Sequence, residues 1–145
     1  MKTFRLQALL DYRKRQADRA HEMLAASMED FTRIAGTIEQ TEQEILELRC
    51  ELEKAEKKKV PAVEFMLHEE FIRARNRNMR ELEDRLASAE KDVEEKRREL
   101  VKARQKKRAL ELLKEKSEQE REKKQKHMEN VFLDEVTVTG FGGRG

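Results

Sequence analysis

The chain has 145 residues, of which 44% are charged, 37% hydrophobic and only 5% aromatic, with no tryptophan and a net charge of +2. That material is too polar for a rounded core built on a sheet, and the near balance of basic and acidic residues argues against a whole-chain nucleic-acid binder. Two classes remain, disorder and long helices with interleaved surface charge, and the spacing of the apolar residues separates them.

The first half keeps one register throughout. Steps of alternately four and three residues from Leu6 reach Leu10, Arg13, Ala17, Ala20, Leu24, Ser27, Phe31, Ile34, Ile38, Thr41, Ile45, Leu48, Leu52 and Ala55; twelve of these fifteen positions are apolar. With Leu10 at a and Arg13 at d this is a sustained heptad seam, which a disordered chain would not hold. A first helix over about 4–56 follows.

The stretch "KKKVPAV", residues 57–63, contains the only proline. Proline cannot continue a helix interior, and it steers Val60 away from helical angles. The lysines before it suit the negative C-terminal end of a helix dipole. A turn over about 57–62 is expected.

The second half resumes the heptad at Phe65, His68, Ile72, Arg75, Met79, Leu82, Leu86, Ala89, Val93, Lys96, Leu100, Ala103, Lys107, Leu110 and Lys114, with ten of fifteen positions apolar. From 114 to 127 no apolar residue occurs. A second helix over about 63–128 is expected, then a flexible tail over 129–145, where three glycines fall in the last four residues. The closing "GGRG" is a single copy of an arginine–glycine pattern and carries little weight for RNA.

Each seam needs a cover, and the two can cover each other if the chain folds back at Val60–Pro61. The expected architecture is one all-α domain over 1–145, a long antiparallel two-helix coiled-coil hairpin. In that register Ile38 faces Leu82, Ile34 faces Leu86, and the ring of Phe31 meets the small Ala89. Arg13 then faces Lys107 and Leu6 faces Lys114, two weak layers at the open end from which long basic side chains can snorkel.

Apolar residues off the seam gather in two places. Near the turn are Met66, Leu67 and Phe71; at the open end are Phe4, Leu9, Tyr12, Leu112 and Leu113. Exposed apolar clusters mark contact surfaces, although apolar residues beside a turn also serve simply to close it. Residues 101–127 hold eleven Lys or Arg against five acidic residues, a basic collar suited to an acidic protein surface or a nucleic acid.

Catalytic chemistry is not expected. His21, His68 and His127 lie far apart along the helices, "HEEF" lacks the second histidine of a zinc-binding helix, and Cys50 falls at an outward f position. A two-helix coiled coil has no pocket in which to dehydrate its carboxylates. No enzyme activity, metal or cofactor is expected. The N-terminus has too short an apolar run for a signal peptide or a membrane span, and a lone cysteine suits a reducing compartment, so the chain reads as cytoplasmic.

The opening "FRLQALLDYRKRQADRA", the break, the long stretch "FIRARNRNMRELEDRLASAEKDVEEKRRELVKARQKKRALELLKEK" and the ending "ENVFLDEV" with Leu133, Asp134 and Glu135 together resemble the flagellar export protein FliJ family. The resemblance implies a coiled coil similar in shape to the gamma stalk of rotary ATPases. It implies a non-enzymatic part of the flagellar type III export apparatus at the cytoplasmic face of the membrane. Its partners would be the hexameric export ATPase (FliI), the export gate protein FlhA and export chaperones, with no nucleic acid and no membrane insertion. Carried onto this chain, the ATPase end includes Phe4, Leu9, Tyr12, Arg13, Lys107 and Leu113, and the gate region Phe71, Met66 and Leu67. Relatives are often apolar where this chain has Arg75. The alternatives are a general coiled-coil scaffold and the stalk of a virulence-type III secretion system.

Overall fold

The computed structural model describes residues 4–142. It consists of two helices, α1 (Gln7–Lys57) and α2 (Ala62–Gly142), with no strand among the described residues. The chain is divided into two compact units: one is Arg19–Val101, and the other joins the beginning of α1, up to Asp18, with α2 from Lys102 onward. The fold class is the one the heptads imply, all-α with two long helices packed antiparallel.

The turn is built by the end of α1. Lys59 is the only described non-glycine residue with positive φ, at 52°. Its amide bonds the Glu56 carbonyl at 3.3 Å, and the Val60 amide bonds the Ala55 carbonyl at 3.4 Å. These two bonds are the Schellman pattern, in which a residue in left-handed conformation ends the helix and satisfies its last carbonyls. Buried Ala55 and half-buried Val60 supply the apolar contact that accompanies it. Pro61 then blocks any return to α1, and its carbonyl accepts the first α2 bond, from the Phe65 amide at 3.1 Å. Lys54 and Lys57 occupy the last turn of α1 and Glu64 the first turn of α2, each favourable for the local dipole. A lysine at the left-handed position is costly where glycine is free. Lys59→Gly is therefore expected to stabilise the fold by about 0.5–1 kcal/mol, read as a higher urea midpoint at unchanged slope, even after the added freedom of the unfolded chain.

Within Arg19–Val101 two bonds fix the pairing. Ser27 Oγ donates to Asp92 Oδ2, and Arg75 Nε lies 3.3 Å from Glu44 Oε2. Each joins residues one position from those that face each other in the expected register, so α1 and α2 pair as the fold-back at Val60–Pro61 requires. Every buried residue among those described lies on the seam: Ala17, Ile45, Ala55, Ala89, Leu100, Leu110 and Leu10, with Ser27 and Thr41 as polar members. Thr41 Oγ1 donates to the Thr37 carbonyl at 2.8 Å, and no described buried side-chain polar atom lacks a partner. Two helices cover each other along one stripe only. The large seam residues Phe31, Ile34, Ile38, Leu82 and Leu86 are accordingly half-buried, while Ala17, Ser27, Thr41, Ala55 and Ala89 are buried beside Leu10, Ile45, Leu100 and Leu110.

Three features differ from expectation. Arg75, on the expected seam, is exposed, because its long side chain gains more from Glu44 than from the interior. Leu6 is 38% exposed, since it precedes the first turn of α1. Finally, α2 runs to Gly142 rather than about 128, so 129–142, expected as flexible tail, is helical. No proline and no glycine before Gly140 interrupts that stretch. The Thr137 and Thr139 hydroxyls donate to the Leu133 and Glu135 carbonyls one turn back, as threonines in a helix do. Residues 143–145, the end of the glycine-rich motif, lie outside the described residues.

Candidate partner-binding surfaces

The open-end residues come together in the unit made from the start of α1 and from α2 beyond Lys102. Phe4 is half-buried and lines a shallow cleft with Leu6, Leu113 and Ser117. Leu9, Tyr12, Leu112 and Leu113 are exposed. Burying such half-exposed apolar side chains under a partner yields about 1 kcal/mol each. The structure thus gathers Phe4 and Leu113 at one cleft, with Leu9 and Tyr12 outside its lining.

Arg13 and Lys107 are both half-buried, and each turns toward its own helix. Arg13 donates to Gln16 Oε1 at 2.8 Å, while Gln16 donates to the Tyr12 hydroxyl at 2.9 Å. The Arg13 guanidinium lies 5.6 Å from the Tyr12 ring centroid, within cation–π range. Lys107 Nζ is 3.9 Å from Glu111, which also holds Arg108 at 3.2 Å. Each cation of the Arg13–Lys107 layer is thereby tied to a neighbour on its own helix, and the two form a basic rim beside exposed apolar side chains. Gln16 and Glu111, which orient that rim, were not foreseen. The spacing of three or four residues to Arg13 and Lys107 is the signal that identifies them.

The turn-proximal surface belongs to Arg19–Val101. Met66, Leu67 and Phe71 are all exposed, as is Val63, which sequence reasoning missed. Val63, Leu67 and Phe71 are spaced by four and form one stripe on α2, with Met66 one turn from Val63 beside it. The flanking charges are engaged elsewhere: Glu70 pairs with Arg77 at 3.3 Å, Glu69 with Arg73 at 4.0 Å, and Arg75 with Glu44 on α1. The stripe is therefore an apolar strip bordered by neutralised charge, and Arg75 leaves it free by reaching across to α1.

Among the described residues no group of three or more His, Cys, Asp or Glu is placed to hold a metal ion, and no helix is long and apolar enough to cross a membrane. The arrangement offers exposed contact surfaces on paired helices.

The sequence model of the family described as flagellar FliJ protein matches residues 1–145. No curated protein matches the chain. Among solved structures, a YscO homolog from Chlamydia trachomatis resembles it with a TM-score of 0.63 at 18% identity, over 94% of this chain and 93% of that one. At that identity the likeness is one of fold.

Proposed function

Because the chain belongs to the flagellar FliJ protein family, we propose that it is a non-enzymatic component of the flagellar type III export apparatus, binding the hexameric export ATPase FliI as a central stalk and linking it to the gate protein FlhA and to export chaperones. The ATPase contact is made by Phe4, Leu9, Tyr12, Arg13, Lys107 and Leu113, and the gate contact by Met66, Leu67 and Phe71, joined by Val63. The protein works at the cytoplasmic face of the membrane, at the flagellar base, without entering the bilayer.

The observation that supports this reading best is the open-end surface itself: exposed Leu9, Tyr12 and Leu113 beside the basic Arg13 and Lys107, each held at the rim by a neighbour on its own helix. An apolar centre with a charged rim is how a transient interface gains both affinity and orientation. The clefts lined by described residues are shallow and open to solvent, so carboxylates along them stay hydrated, in keeping with a binding rather than a catalytic role.

In a binding assay with the purified export ATPase, the Arg13→Glu/Lys107→Glu variant is expected to bind about tenfold more weakly than wild type, with the difference shrinking at high salt. Equal affinities would remove the open-end assignment. No binding by either protein would favour a general coiled-coil scaffold instead.

A further inference from the structure

Ser117 is the last half-buried residue of α2 among those described; from 118 to 140 every residue is exposed. The heptad phase nevertheless continues. Steps from Ser117 reach Arg121, Lys124, Met128, Val131, Glu135 and Val138, so after a charged interval the apolar seam returns in register. Met128 is 71% exposed, and Val131, Phe132 and Val138 are exposed with it. Val131, Glu135 and Val138 line one shallow cleft along this face. It is an amphipathic helix face, and no described residue of α1 covers it.

Charge indicates its occupant. Residues 129–139 carry Glu129, Asp134 and Glu135 and no basic residue, whereas 121–127 carry Arg121, Lys123, Lys124 and Lys126 against Glu122. The acidic block disfavours anionic lipid and nucleic acid. Its complement is a basic helical stretch in phase with the same seam, and 121–127 of another molecule supplies one. We propose that 118–139 of α2 pairs antiparallel with the same stretch of a second copy. Met128 then faces Val131 of the second copy across the two-fold axis, Lys124 faces Glu135, and His127 flanks Asp134. A parallel pair would set Lys124 against Lys124 and Glu135 against Glu135, so like-charge repulsion selects the antiparallel arrangement. The two-fold axis makes each contact occur twice. The interface is small, so the dimer is weak, with a dissociation constant on the order of 10–100 µM.

This inference does not rest on the export role, and its sedimentation measurement needs no export protein. Sedimentation equilibrium of the full chain, in a Cys50→Ser background, is expected to show a monomer–dimer equilibrium. Lys124→Glu and Glu135→Lys should each weaken it about tenfold, and the double reversal should restore it to within about threefold of the parent. Both positions are exposed on an unpaired helix, so unchanged helical circular dichroism is expected for all three variants. A chain that stays monomeric up to about 1 mM overturns the proposal. A dimer indifferent to the single reversals, or not restored by the double one, overturns it equally, as does a monomer whose 118–139 segment is covered only when the export ATPase is added.

Discussion

Leu10→Ala is expected to cost about 2–5 kcal/mol, the range for truncating a fully enclosed leucine. Leu10 is 1% exposed, the only large side chain so completely buried among the described residues. It occupies an a position whose facing residue in the antiparallel register is Leu110, itself buried. The layers on either side are poor. Leu6 is partly exposed, and the Arg13–Lys107 layer puts two cations where a core would hold hydrocarbon. The stability of this unit is therefore concentrated in Leu10, Leu110 and Ala17, and a cavity at Leu10 has few well-packed neighbours able to collapse into it. The loss should also be local. Amide hydrogen exchange is expected to lose protection over 7–18 and 102–117, while the amides of Arg19–Val101 around Ile45 and Ala89 keep theirs, since cooperative units open separately. A cost below about 1 kcal/mol, or protection lost evenly along both helices, would contradict this picture.

Most of the fold was legible because a heptad is redundant. Thirty positions repeat one message, and substitutions such as Ser27, Thr41 and Lys96 do not erase the phase; Ser27 and Thr41 are tolerated by bonding to Asp92 and to the Thr37 carbonyl. The turn was legible from Pro61, although the residue that makes it is Lys59, whose left-handed conformation no propensity would assign to lysine. The end of α2 was harder to read. A charged interval without apolar residues looks like the end of a coiled coil, yet the absence of a pairing partner does not stop a helix; only a breaker or a better local bond does. The partner surfaces were half legible. Off-seam apolar residues could be located, but Val63 was masked by its closeness to Pro61. That Arg13 and Lys107 each engage a neighbour on their own helix depends on Gln16 and Glu111, whose roles emerge only once the rotamers are set.

Replacing both Leu67 and Phe71 with glutamate is expected to weaken binding to the gate protein about a hundredfold or more, since each substitution removes an apolar anchor and places a charge against the partner. The competing explanation for apolar residues beside a turn is that they close it. The geometry here argues otherwise. Closure is already accomplished by Ala55 and Val60 with the two amide bonds around Lys59, while Leu67 and Phe71 remain 55% and 58% exposed. Their removal should then change folding stability by no more than about 0.5 kcal/mol each, as for ordinary surface positions. The two readings separate on paired measurements of the same protein: gate affinity by titration calorimetry and stability by urea unfolding. Lost affinity at unchanged stability supports a contact surface. Lost stability with affinity unchanged, once the folded fraction is allowed for, would return these residues to a structural role and leave the gate contact to be sought elsewhere on α2.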